Sequence, residues 1–308
     1  MDISPRVLRY FMAVAEELHF GRAASRLYIA QPSLSHQIRK LEETLGTPLF
    51  VRSSRRVQLT AAGRTLVREA PIALAALEHA VRQTQLAGTG VATTIRLGYT
   101  PVTSLDTLTT LLDALQEDRP GFTVDAQEFF SAEIPERLGA GDLDIGLALA
   151  PQLVDGVAGE ILREEPVSAL LSTRHRLAAA PAIPVTALRD ETLQLFPRRL
   201  APAYYDGIVA ACREAGFVPE IRAYEEPPAK AMLRLSSGRV VGLAPASFAE
   251  HAAQGSTSIV VRDIIDPPIM AELSMLWSAH DRSPSLASVL DTARRCAERN
   301  GWLHAHTT

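Results

Sequence analysis

The sequence predicts an all-α head over residues 1–60, one long helix over 61–90 and an α/β body over 91–308. Three observations support this order. Apolar residues in the head recur at helical spacing and lead into a short arginine-rich stretch. Residues 61–85 hold little glycine or proline. From residue 94 onward, short apolar runs alternate with helical patterns, as in a sheet covered by helices.

In the head, Val7, Phe11, Val14 and Leu18 form the stripe of a first helix. Ala23, Ala24 and Leu27 mark a second, with side chains small enough for a close crossing. Leu34, Ile38, Leu41 and Leu45 share one face of a third. At about 100° per residue the opposite face holds Pro32, His36, Arg39, Lys40 and Glu43, flanked by Ser33 and Ser35. Gln31 and Pro32 open this helix; proline suits a first position, where its missing N–H has no partner anyway. Free amides at such an end hold phosphate. Gly46 and Pro48 stop the helix. Arg52, Arg55 and Arg56 follow on a basic wing.

A polar, cationic helix of this size fits the DNA major groove, where side chains read base edges while wing arginines hold the backbone. Taken singly, Ser33, His36 or Arg39 reads better as part of a solvated helix face. The whole run, with turn and wing, points to double-stranded DNA through Gln31, Pro32, Ser33, Ser35, His36, Arg39, Arg52, Arg55 and Arg56.

The 308-residue chain has a net charge of −4, which alone argues against nucleic acid. Its distribution reverses that. Residues 1–68 carry 11 Lys/Arg against 5 Asp/Glu, leaving 20 against 30 for the rest. A basic head on an acidic body is the footprint of a DNA-binding module joined to something else. Only Lys40 and Lys230 are lysines, so the positive charge is nearly all arginine, the better bidentate donor.

Cys212 and Cys296 lie in no CxxC or His-paired spacing and read as buried reduced thiols. No Gly-x-Ser-x-Gly elbow, phosphate loop or complete Gly-x-Gly-x-x-Gly occurs; Gly88-Thr89-Gly90 lacks its third glycine. His304 and His306 form a tail pair without further ligands. The expectation is therefore no catalytic residue, metal or cofactor. Charges interrupt the N-terminal apolar residues, and no run approaches membrane-spanning length, so the expected setting is cytoplasmic, without a membrane partner. A solute-binding protein is the alternative for residues 91–308 alone; the basic head argues against it.

Thr60 is the expected N-cap of the long helix. Its stripe Leu66, Ala70, Leu74, Leu77 and Val81 has no adjacent domain sequence to cover it, so a second copy of the chain is the expected partner. Pro71 removes the bond to residue 67 and should bend the helix. Residues 86–92 read as a linker.

In the body, strands are expected at 94–99, 122–129, 143–150, 168–172, 193–196, 220–224, 240–243, 259–263 and 273–277. Helices are expected at 105–116, 132–138, 205–215, 229–236 and 286–299. Ligands of open α/β sheets bind beyond the strands' carboxyl ends. The segments there supply Thr100, Thr103, Ser104, Ser131, Phe196, Pro197 and Arg198. Thr103, Ser104 and Ser131 stand at expected helix starts, where hydroxyls and free amides suit a small anion, with Arg198 as bidentate partner of a carboxylate. For each hydroxyl alone, capping its own helix is the better reading, and only their convergence brings the ligand reading level with it; Arg198 reads equally as a solvated arginine.

The head resembles the N-terminal domain of the LysR-type transcriptional regulators, unbroken from about Val7 to Leu66. Looser matches in the body are Ile95 to Gly98, Leu138 to Gly146, Phe196-Pro197 and Leu243 to Ser247. The segments 196–199 and 202–206 look like the branch that controls aromatic-compound breakdown. The resemblance implies a winged helix-turn-helix at 1–60, a dimerising linker helix at 61–90, and a two-lobed effector domain like periplasmic binding proteins (type 2). The lobes would be 91–162 with 268–308, and 163–267, hinged near Leu162 and Pro267. It also implies tetramers on promoter DNA and a small-molecule effector; RNA polymerase is a further candidate partner. The family's peroxide-sensing branch uses two nearby cysteines, an arrangement absent here.

Overall fold

The structure, a computed structural model, describes residues 3–52, 56–89, 93–103, 106–224 and 228–303. It divides into two compact units: residues 1–85 with 139–141, and residues 86–138 with 142–308.

The first unit holds α1 (Pro5–Glu17), α2 (Phe20–Arg26) and α3 (Gln31–Leu45), then a hairpin of β1 (Phe50–Arg52) and β2 (Val57–Leu59), then α4 (Ala61–Thr89). Phe11, Val14, Ala23, Leu34, Ile38, Leu41 and Phe50 make one core. Helix α3 ends in the left-handed Gly46, φ 67°, as its sequence signal requires. Leu18, expected in the stripe of α1, is 45% exposed. It sits one residue past that helix at φ 48°, so the chain is already turning.

Thr60 caps α4 as expected, its Oγ1 accepting the N–H of Gly63 at 2.9 Å. A Cβ at Gly63 would lie 2.2 Å from the Leu49 carbonyl oxygen, so only glycine fits there. The apolar stripe of α4 divides in two. Leu66, with Ala62 and Val67, packs on the head core, while Leu77 and Val81 stay exposed. Its first half therefore has a partner within the unit, contrary to the expectation of a wholly uncovered stripe. Helix α4 continues through Pro71.

The second unit is a ten-stranded mixed sheet in the order β4-β3-β5-β12-β6-β10-β8-β9, with β11 pairing β6 and β7. The first half carries β3 (Thr93–Tyr99), α5 (Thr107–Asp118), β4 (Phe122–Glu128), α6 (Ile134–Ala140) and β5 (Ile145–Leu149). Then β6 (Val157–Ser172) crosses to the second half: β7 (Ala182–Pro184), β8 (Thr192–Leu195), α7 (Pro202–Glu214), β9 (Glu220–Ala223), α8 (Pro228–Ser236), β10 (Val241–Pro245), α9 (Ala246–Ala253) and β11 (Ile259–Ile265). The chain returns along β12 (Met270–Ser278) and ends with α10 (Pro284–Asn300).

Alternation of elements predicts parallel sheet, and β3-β4, β3-β5, β8-β9 and β8-β10 are parallel. The ladders of β6 with β12, β10 and β11 are antiparallel. The sequence pattern shows only the last third of β6. Glu160, Arg163, Glu164 and Glu165 break its apolar run, because this stretch crosses between the halves instead of lying in one core. Along it, residues 157–166 pair with β12 and residues 167–172 with β10 and β11. Helix α9, short and alanine-rich, has no expected counterpart. The two halves have separate cores, one around Leu97, Leu147 and Val289, the other around Val167, Leu193 and Val241.

Candidate functional site

The head presents the α3 face that the sequence marks. Gln31, Pro32, Ser33, His36 and Arg39 are exposed and Ser35 partly so, while Leu34, Ile38 and Leu41 are buried beneath them. Pro32 is the second helical residue, since the helix opens at Gln31. No side chain caps this N-terminus, and its first turn holds no acidic residue. The result is an open, positive helix end.

The wing behaves differently. Arg52 turns back onto its own domain: Nη2 donates to Glu42 Oε2 at 2.7 Å, and the guanidinium carbon lies 4.8 Å from the Phe20 ring centroid. Arg56 is exposed. Arg55 lies outside the described residues.

In the second unit, the segments that carry Ser131 and Phe196 meet between the two halves of the sheet. Thr100 follows β3 and is 3% exposed, its N–H bonded to the Leu147 carbonyl at 3.1 Å. Its Oγ1 is buried without a partner among the described residues. Ser131 Oγ accepts the Leu149 N–H at 3.1 Å. Across from them, the Phe130 ring meets Phe196 edge-on at 6.1 Å, and Phe196 meets Tyr224 at 5.0 Å. The N–H of Ala132 donates to the Leu200 carbonyl at 3.1 Å, tying the same two halves. Burial pushes the Tyr224 hydroxyl up to about 12. Pro197 is buried beside Phe196.

Two expectations change. Thr103 and Ser131 are not helix caps: α5 is preceded by Asp106 and α6 opens only at Ile134. The Thr103 hydroxyl instead donates to the Thr100 carbonyl within a tight 3-10 turn. Arg198 is not waiting for an anion. Its Nε and Nη2 donate to both carboxylate oxygens of Asp206, at 2.7 and 2.6 Å, and the pair is largely solvated. Those hydrogen bonds hold Asp206 below the usual carboxylate range and Arg198 above its own. Ser104 lies outside the described residues.

The sequence reading did not find a polar chain across the crossing strand. Arg163 on β6 bonds Asp106 and Thr107 at the start of α5, with Glu165 3.3 Å away. Glu165 then accepts from the N–H and hydroxyl of Ser247 in the first turn of α9, at 2.7 and 2.8 Å. A groove of about 330 Å³ beside this chain is lined by Asp106, Arg163, Glu165, Ser247, Glu250 and His251, among others. The available signal was the run of charges inside a strand.

A helical head with an open recognition face, joined to a two-core α/β unit whose halves meet around polar and aromatic groups, defines a DNA-binding regulator with a ligand-responsive domain. The sequence matches two family models in that order: "Bacterial regulatory helix-turn-helix protein, lysR family" over residues 5–64, and "LysR substrate binding domain" over 88–297. The chain belongs to the LysR-type transcriptional regulators. It is similar to HTH-type transcriptional regulator IlvR of Caulobacter vibrioides, 34% identical over 94% of this chain and 96% of that one. It is also similar to the HTH-type regulator YnfL of Escherichia coli, 32% identical over 92% and 96%. Among solved structures, CbnR, a LysR family regulator, superposes with a TM-score of 0.62 at 25% identity, covering 96% of this chain and 99% of that one. CbnR is also known in complex with its target DNA. Among the described residues, no helix is long and apolar enough to cross a membrane.

Proposed function

We propose that the exposed face of α3 reads promoter DNA through Gln31, Pro32, Ser33, Ser35, His36 and Arg39, with Arg55 and Arg56 on the phosphates. The observation that carries this is the pairing of that polar face with an uncapped, unopposed helix start. Residues 61–90 join two copies, and dimers pair into tetramers. Residues 91–308 bind a small-molecule effector between a lobe of 91–162 with 268–308 and a lobe of 163–267. Thr100, Thr103, Ser104, Ser131, Phe196, Pro197 and Arg198 surround it. A carboxylate on the effector would take Arg198 from Asp206.

Effector that favours one lobe angle shifts the population of assembly shapes, and so the DNA contacts. We infer a cytoplasmic regulator and not an enzyme, with RNA polymerase a further candidate partner at the promoter. A gel shift with DNA from upstream of this protein's own gene tests the reading. Retardation resistant to competitor duplex is expected, and none at low salt would end it. Metabolites are then screened by melting, since a ligand for the native state raises the midpoint.

A further inference from the structure

Glu42 sits on α3 beside its buried stripe, with a side chain 14% exposed. One oxygen accepts two backbone N–H groups of the wing, Leu49 at 2.9 Å and Phe50 at 3.1 Å. The other accepts Arg52 Nη2 at 2.7 Å. Arg52 lies over Phe20, the first residue of α2, and Phe20 meets Phe50 of the wing edge-on at 5.8 Å. A single carboxylate thus joins α3 to the start of the wing, and through Arg52 to α2.

We infer that Glu42 and Arg52 are positioning residues that fix the angle between the α3 face and the wing, and that Arg52 acts through this brace instead of as a phosphate ligand. The inference rests on the DNA reading above. Among the described residues, the wing pairs three residues on each strand, Phe50↔Leu59, Val51↔Gln58 and Arg52↔Val57. So short a hairpin has little stability of its own, and its direction must come from what anchors its base. Charge-assisted bonds to a largely buried carboxylate supply a stiff anchor. The planar guanidinium serves both contacts at once, bonding in its plane and stacking through its face. Lysine keeps the charge but has neither the fork nor the face.

The test uses the full-length protein and a duplex it selects from a random library. Glu42→Gln keeps an oxygen for the two wing amides but presents an amide where Arg52 needs an acceptor. The brace predicts that Glu42→Gln and Arg52→Ala each weaken binding to the selected duplex, by roughly tenfold. The double variant should be no weaker than the worse single one, since both remove one interaction. The salt slope should stay at the parent value, and Arg52→Lys should not restore affinity. Phe20→Leu, which keeps apolar bulk and removes the aromatic face, should weaken binding in the same sense. Melting of each variant shows that the fold persists.

A phosphate contact gives the opposite pattern: Arg52→Ala lowers the salt slope by about 0.9, Arg52→Lys rescues, and Glu42→Gln binds like the parent. Any of these three results overturns the brace. A parent protein that selects no duplex overturns the DNA reading and the brace together.

Discussion

Asp206 holds Arg198 by two parallel hydrogen bonds of 2.7 and 2.6 Å, so under the proposed reading an effector carboxylate has to displace a carboxylate already in place. Arg198→Ala should weaken an acidic effector by roughly tenfold. Asp206→Asn, which removes the competitor, should tighten it. Asp206 has a lowered pKa, so its half of the pair is fully present above the ordinary Asp range and fades only as pH falls through the lowered value. The competition therefore persists throughout the neutral range. Calorimetric titration against a panel of acids checks this; equal affinities for parent and both variants would remove Arg198 from the site.

Thr100 offers a different handle. Its hydroxyl is buried and has no partner among the described residues. Thr100→Val keeps the shape and deletes the unmatched polar atom. The free protein should melt at the same temperature or higher, because an unsatisfied buried group costs stability. Effector affinity should fall, since that hydroxyl is the group a ligand would satisfy. A lowered melting point with unchanged affinity would mean that Thr100 serves only the fold.

Leu77 and Val81 are 42% and 48% exposed on α4, beside Pro5 and Arg9 of α1, where Arg9 pairs with Glu78 at 2.6 Å. Placing Glu at both apolar positions should split the dimer and, with it, tight operator binding. Sedimentation at fixed concentration reads the outcome; an unchanged assembly would move the interface elsewhere. The head core does not contain these two residues, so the variant should stay folded, with an unchanged far-ultraviolet circular dichroism spectrum.

Ser33 and His36 face outward from α3, whereas Arg56 lies at the wing. Substitution of Ser33 or His36 by Ala should change which duplexes are preferred. Arg56→Ala should weaken all duplexes alike and lower the salt slope by about 0.9 if it neutralises one phosphate. Binding across a library of single-base variants separates the two behaviours. A uniform loss for His36→Ala would reduce it to a positioning role.

Cys212 lies in the core of the second sheet half and Cys296 in that of the first. Burial pushes the Cys212 thiol up to about 11 and raises Cys296 as well. Raised values keep both protonated at neutral pH, and the thiolate is the reactive form. Iodoacetamide at pH 8 should label neither thiol in the native protein and both in denaturant. Rapid native labelling would contradict this packing.

The sequence and the structure agree most closely where one local rule decides the outcome. The α3 stripe, the Gly46 stop and the Thr60 cap each rest on residues close together in the chain. Strand β6 was legible only over its final residues, because Arg163, Glu164 and Glu165 look like loop until the crossing between two cores is seen. Arg52 and Arg198 read as free cations because their partners, Glu42 and Asp206, lie 10 and 8 positions away, and nothing in the spacing says they meet. Thr103 and Ser131 looked like caps because α5 and α6 begin later than their patterns suggest.

Strand β6 belongs to both halves of its sheet, and that gives the second unit a mechanical character. A strand of 16 residues is about 53 Å long at about 3.3 Å per residue. It changes partners between Pro166 and Val167, slightly beyond its midpoint. A turn of about 10° there would swing the longer arm, ending at Val157, by about 5 Å and the shorter, ending at Ser172, by about 3 Å, the first comparable to one helical turn. The strand is thus a lever with its fulcrum where the two cores meet, so a contact shift too small to rearrange either core becomes a much larger movement at the strand's far end.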